Sequence, residues 1–569
     1  MGSNNIIVRE YLESLKEDNE LDYLFPILLN SIGFRIISTP VESKGQSQYG
    51  KDIVAVGKDE SGITHRYYFE LKGHSDRNIT DKNYSIPDGI RESIIEAKDT
   101  AFRDSSIPKF NHLPIKVVLV HNGTIKSNIR PTFEGFVSKE FKPGEFERWD
   151  IYRLTDLFAE HFFNAYLLTD RESLNLFKKT LVLLDAPQND FGDFHTLVDL
   201  QIEKIGTVKG GRAFSKFFAT QNLLASIILH YSLENNNLEP ARQCLTYLLL
   251  KTWSWILKNQ LESKRAVKRE YTKLVSLHNK MLALYFDKTL LVARKENGLY
   301  SEIGAAFEEV GFPLRCFDYL NYMIYYFESS TYNMVSLSQV SEHELIKFRR
   351  EQKDILIEII ESNDGCKRPI LDSHSIAIVN LILFFIKKND LTENDAHFLH
   401  QYLFRTTENI LITHRMRGRF PYVGTETGLV KSLRGREKAI KENTVPPSLI
   451  VPILFELACL FNLNQMHSAF AVGFKDKLNL QTAYPNLSLE IEEKLFEKHF
   501  HDEFYVETNI ELKDSLNDFK KHMMSKANDS IEFRTDAAGF GFLRLLAHVY
   551  YKNEFFPQEW RKYYNSNGE

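Results

Sequence analysis

The stretch Arg-Tyr-Tyr-Phe-Glu-Leu-Lys-Gly at 66–73 constrains this chain more than any other. Successive side chains of a strand point to opposite faces. Tyr67, Phe69 and Leu71 are therefore expected on one side, toward a core, with Tyr68, Glu70 and Lys72 on the other. Upstream, Lys-Asp-Ile-Val-Ala-Val at 51–56 reads as a short apolar strand opened by an acid. An acid at the edge of a buried strand needs a partner. If the two strands form a hairpin, Asp52 approaches Glu70, and two carboxylates held together repel unless a cation sits between them. Mg²⁺ suits such a pair because it takes hard oxygen ligands and keeps several waters; Mn²⁺ is an acceptable substitute. Asp52 and Glu70 are then candidate metal ligands, and Lys72 a cation for a phosphate or its attacking water. The reaction implied is phosphodiester hydrolysis.

The elements around this pair suggest an α/β domain over about 1–168. Leu21, Leu24, Phe25, Leu28, Leu29 and Ile32 recur at helical spacing, and Gly33 stands where a helix-ending glycine belongs. Strands are expected at Phe34–Val41, Asp52–Val56, Arg66–Lys72, Ile115–Val120 and Trp149–Leu154. Helices are expected at Ile90–Phe102 and from Asp156. The resulting order, α-β-β-β-α-β-β-α, predicts a mixed central sheet between helices. From 169 to 569 nearly every segment has helical periodicity, including Asn222–Tyr231, Ala241–Leu257, Leu274–Phe286, Leu345–Ile360, Ile376–Ile386 and Ser448–Phe461. This predicts a large all-helical region of stacked pairs or an irregular bundle. It is long enough for two subdomains, with a break near 330–342 or 415–447.

An acid at a strand start followed by Glu-x-Lys on the next strand resembles the PD-(D/E)xK nuclease superfamily. The resemblance extends to its Mrr-type restriction endonuclease branch. Leu-Asp-Tyr-Leu-Phe-Pro-Ile-Leu-Leu-Asn-Ser-Ile-Gly-Phe at 21–34 is similar to that branch's first helix. The polar loop at 43–53 leads to the metal-binding Asp, and the segments at 115–123 and 149–162 match the closing strands and helix. The resemblance implies a restriction-endonuclease-like fold over 10–168 and an Mg²⁺-dependent endonuclease. Asp52 and Glu70 would hold the metal and Lys72 would be the catalytic lysine. Asp22 falls where the branch carries a helix Glu, although an acid there also reads as a helix N-cap. Lys51 stands in place of Pro, Pro26 places the start of the first helix near Asp22, and no glutamine motif follows Gly73 and His74. Chains resembling this branch imply an antiphage effector acting on DNA, with RNA or tRNA the alternative. A non-cutting scaffold that grips nucleic acid or protein is a further alternative. The helical region would then sense a trigger or protein partner, or hold a homo-oligomer together.

Other features narrow the classes. The chain has 569 residues and a formal net charge of −5, so nucleic-acid contact must rest on local basic patches. Gln46 and Gln48 lie in the loop before Asp52 and are candidates for substrate contact, or polar filler. A basic segment at 414–441 carries Arg415, Arg417, Arg419, Arg434 and Arg436. Its glycines suggest a loop between helices, either binding phosphates or simply solvated. The four cysteines form no Cys-x-x-Cys pair, which argues against a zinc site or disulfide framework. His499 and His501 lack the further ligands of a metal centre. No apolar run reaches the length of a membrane span and the first ten residues do not read as a secretory signal, so a cytoplasmic protein is expected.

Overall fold

The computed structural model describes the chain from Val8 to Tyr564. It leaves out 10–11, 14, 16, 18–20, 40–49, 60, 88, 101, 105–109, 161–170, 187–188, 208–210, 301–306, 338–339, 388–389, 434–444, 486–490, 499–503, 527–531 and 554–558. An N-terminal mixed α/β sheet domain is followed by a large, predominantly helical region. Two compact units result, Met1–Cys244 and Leu245–Glu569. The first thus contains the sheet domain together with helices beyond the compositional change expected at 168.

In the first unit, α1 (Asp22–Ser31) carries the apolar face read from the sequence. Pro26, fifth in the helix, forgoes one intrahelical bond. Gly33 ends the helix as expected: its N–H donates to Asn30 O and that of Phe34 to Leu29 O, the paired bonds of a Schellman motif. Strands β1 (Arg35–Ser38), β2 (Ile53–Lys58) and β3 (Thr64–Lys72) follow. After them come α2 (Ile90–Asp99), β4 (Ile115–His121), α3 (Arg130–Glu140), β5 (Phe146–Trp149) and α4 (Ile151–Phe158). The strands lie in sequence order, β1-β2-β3-β4-β5. The first three pair antiparallel, and β3-β4-β5 pair parallel.

Two sequence expectations shift. The last strand ends at Trp149, where Trp149–Leu154 was expected. Asp150 stops it by accepting the backbone N–H groups of Tyr152 and Arg153 as a helix N-cap, so α4 begins at Ile151 and not near Asp156. An additional helix, α3, lies between β4 and β5, as parallel neighbours require a crossover.

Both faces of β3 are buried. On one, Phe25 of α1 meets Phe69 edge-on at 5.3 Å and Trp149 at 5.8 Å. On the other, Val54, Tyr68, Val117 and Leu119 pack against Ile90 and Ile94 of α2 and Phe133 of α3. The sheet is therefore covered on both sides, as expected of a central sheet between helices. Helices α5 (Arg171–Val182), α6 (Gly192–Ile205) and α7 (Gly211–Glu234) complete this unit, with α7 packed on α1. Helix α8 (Glu239–Lys258) leads into the second.

The second unit is built around α10 (Phe312–Leu337), which packs against α9 (Arg265–Ala293), α11 (Glu342–Ser362), α12 (Ser375–Ile386) and the late helix Phe542–Tyr551. The aromatic-rich stretch Tyr319–Phe327 lies in the core face of α10. Every residue of α12 is buried; a helix apolar all round belongs inside a protein core or a membrane. Among the described residues no helix is long and apolar enough to cross a membrane. All four cysteines are free and buried.

Candidate functional site

The register of β2 against β3, Ile53 opposite Phe69 and Val54 opposite Tyr68, carries Asp52 level with Glu70. Asp52 sits one residue before β2, and its Oδ2 accepts the Leu71 N–H at 2.7 Å. Gly50 makes this approach possible. Its φ is +68°, and a Cβ built there would lie 2.0 Å from Ser93 O of α2. Only a residue without a side chain lets the strand entrance lie so close to that helix.

Glu70 is almost fully buried, at 4% exposure. Its Oε1 lies 2.8 Å from Lys72 Nζ, while its buried Oε2 has no hydrogen-bond partner among the described residues. Such an atom carries a desolvation cost that a ligand would remove. Asp52, Glu70 and Lys72 are thus brought together.

A fourth residue, not singled out in the sequence, joins them. Glu17 Oε1 lies 3.4 Å from Lys72 Nζ, and its Oε2 accepts the Gly73 N–H at 3.2 Å. The segment bearing Glu17 is tethered to the far end of β4. Asn122, fully buried, donates to Leu12 O at 2.7 Å and Leu15 O at 2.8 Å. Arg77 donates to Glu13 O. Asp22 lies in the first turn of α1, where a carboxylate meets the positive end of the helix dipole. The N-cap position itself is Leu21.

The electrostatics follow from crowding three carboxylates around one ammonium. Burial, with repulsion from Glu70, holds the Asp52 carboxyl well above its ordinary range despite Lys72 and the Leu71 N–H. Burial also raises Glu17, helped by Glu70 and opposed by Lys72 and the Gly73 N–H. Burial works against the charge of Lys72, but Glu70, Glu17 and Asp52 together outweigh it and push its pKa up. Lys72 is therefore a firm cation at neutral pH and no proton acceptor.

Two further groups border the cluster. Lys51 lies 5.3 Å from the centre of the Tyr68 ring and donates to Glu96 O. Burial pushes its pKa down to about 8, against the pull of Glu96 and Glu70. His121, level with Lys72 on β4, is held by burial at a pKa of about 4. It is neutral at pH 7, and its Nδ1 lies 2.9 Å from Arg77 O.

Among the described residues no three His, Cys, Asp or Glu side chains form a ready metal cage. The donor set that is present consists of the carboxylates of Asp52 and Glu70, with Glu70 Oε2 unspent. It fits a hard, water-rich cation held by one or two carboxylates.

The other residues singled out in the sequence fall elsewhere. Gln46, Gln48, Arg434, Arg436, His499 and His501 lie outside the described residues. Arg415 and Arg417 are in the last turn of α13 (Glu393–Arg417). Arg419 follows it, and α14 (Glu426–Leu433) comes next. The basic segment is therefore partly helical where a loop was expected.

Compared with protein-family models, curated proteins and solved structures, the chain matches none.

Proposed function

We propose that this chain is a metal-dependent nuclease that hydrolyses phosphodiester bonds, DNA in preference to RNA, through Asp52, Glu70 and Lys72. One observation carries the reading: the half-buried carboxylate of Asp52, at the entrance of β2, and the buried carboxylate of Glu70 on β3 lie beside one lysine, and one oxygen of Glu70 has no hydrogen-bond partner among the described residues. The similarity to the PD-(D/E)xK pattern supports it, and an antiphage role is the physiological reading that goes with that similarity.

Asp52 and Glu70 would hold Mg²⁺. When bound, the ion supplies Lewis acidity to the scissile phosphate and lowers the pKa of an attacking water. Lys72, kept protonated by its acidic neighbours, offsets charge that builds on the phosphate. Glu17, which also contacts that ammonium, helps to position it. The Leu71 N–H orients Asp52.

The test is cleavage of plasmid DNA and of total RNA with Mg²⁺ or EDTA, comparing the native chain with Glu70→Ala and Lys72→Ala. Metal-dependent cutting lost in both variants is expected. Cutting that persists in EDTA, or full activity in both variants, overturns the assignment.

A further inference from the structure

The basic segment ending α13 borders a cavity within the second unit. Within the second unit a pocket of about 300 Å³ lies between α13, the strand-like stretch 368–371 and α14. This is the size of the smaller ligand sites, which are mostly apolar with a few convergent polar groups. Its walls include Val310, Ile370, Ile410, Phe420 and Leu429. The framework is tied together: the Tyr422 N–H donates to Ile370 O at 2.8 Å and the Asp372 N–H to Tyr422 O at 2.9 Å. His414 stacks on Phe420 at 4.0 Å between centroids, which fixes the turn after α13.

Three guanidinium groups line this apolar cavity, those of Arg368, Arg417 and Arg419, against one carboxylate, Glu309. Arg417 pairs with Glu309, and Arg419 approaches the same carboxylate at 3.7 Å. These ion pairs are about half exposed on the arginine side, so they are weak and easily exchanged. Arg368 lies over the Phe312 ring at 5.5 Å. Its Nε is buried and has no hydrogen-bond partner among the described residues. Asn409 and Thr413 add polar side chains along α13.

We propose that this cavity binds a mononucleotide, with its phosphate on the arginines and its base against the apolar wall. Guanidinium forks match phosphate oxygens in pairs. The cation excess over Glu309 calls for an anion, and the apolar wall calls for more than a free inorganic ion. Neither half of the site is served by phosphate or by an uncharged apolar molecule alone.

The experiment is calorimetric titration of the full chain in EDTA with AMP, GMP, CMP and UMP, beside adenosine and inorganic phosphate. EDTA keeps metal from the Asp52–Glu70 pair, so binding there does not enter. At least one mononucleotide is expected to bind, about tenfold or more tighter than either half molecule. Arg417→Gln/Arg419→Gln should weaken it about tenfold or more, as loss of charged hydrogen bonds does. Glu309→Gln, which frees both arginines, should tighten it. Arg405→Gln, on the same helix but paired with Glu408 outside the cavity, should leave it unchanged. No binding by any of the four, equal binding of inorganic phosphate, or indifference to the double arginine change would overturn the proposal.

Discussion

Replacing Asp52 by Asn should make the first unit more stable in the absence of metal while removing the proposed nuclease activity. The Asn side chain keeps an oxygen for the Leu71 N–H, which Asp52 accepts at 2.7 Å. It removes a buried charge that Glu70 repels more than Lys72 relieves. The sign with pH follows from linkage. An unfolded Asp loses its proton near pH ~3.9, whereas the folded carboxyl, raised by burial, holds it to higher pH. Between those two values the folded state binds more protons, so native stability falls as pH rises. It levels off above the folded pKa. Below pH ~4 both states are protonated and the penalty vanishes. Substitutions that relieve such a local conflict commonly yield about 0.5–2 kcal/mol. For a unit of this size each kcal/mol moves the midpoint by about 2–4 °C, so a rise of about 1–8 °C is expected at neutral pH. Scanning calorimetry in EDTA between pH 4 and 8 measures it. Adding Mg²⁺ should reverse the order: at a hundred times the dissociation constant, binding contributes about 2.7 kcal/mol to the native chain and nothing to the variant. A variant less stable than the native chain at neutral pH in EDTA, or a gap that ignores pH, would refute the account.

Gly50→Ala should cost about 1–3 kcal/mol through its left-handed backbone and the contact with Ser93 O, and cleavage should fall with it because Asp52 is displaced. Asn122→Ala removes the side-chain amide that donates to the carbonyls of Leu12 and Leu15. Hydrogen exchange should rise at Leu12, Glu13, Leu15 and Glu17 while the amides of β3 and β4 stay protected. In the second unit Glu456 accepts from Arg561 at 2.6 and 2.8 Å, from Trp560 at 3.0 Å and from Tyr564 at 3.0 Å. Glu456→Ala strands a buried guanidinium and should cost about 3–5 kcal/mol in denaturant unfolding.

The parts of the fold that the sequence disclosed are those governed by local pattern. β2, β3 and β4 are runs of apolar and aromatic residues bounded by turns, and Gly33 closes α1 with the bonds its position implied. The misread parts are those where two local signals compete. Trp149–Leu154 alternates like a strand, yet Asp150 can cap a helix, and the cap bonds to Tyr152 and Arg153 prevail. Helix α3 has Pro131 at its first turn and Gly135 within it, so its apolar stripe of Phe133 and Phe136 is too thin to stand out. Tertiary burial against Tyr84 and the sheet decides the matter there.

The candidate site divides in the same way. Glu70 and Lys72 are two residues apart on one strand, so their contact is a local fact. Asp52 needs only the neighbouring strand in register. Glu17 reaches Lys72 for reasons that lie more than a hundred positions away, in the hydrogen bonds of Asn122 to Leu12 and Leu15. No periodicity around residue 17 announces it. Yet Glu17 bears on how Lys72 behaves. Burial works against the lysine's charge while Glu70, Glu17 and Asp52 each favour it, and the net effect raises its pKa. That raised pKa suits Lys72 to offsetting charge on a phosphate, and in the proposed hydrolysis the nucleophile is water.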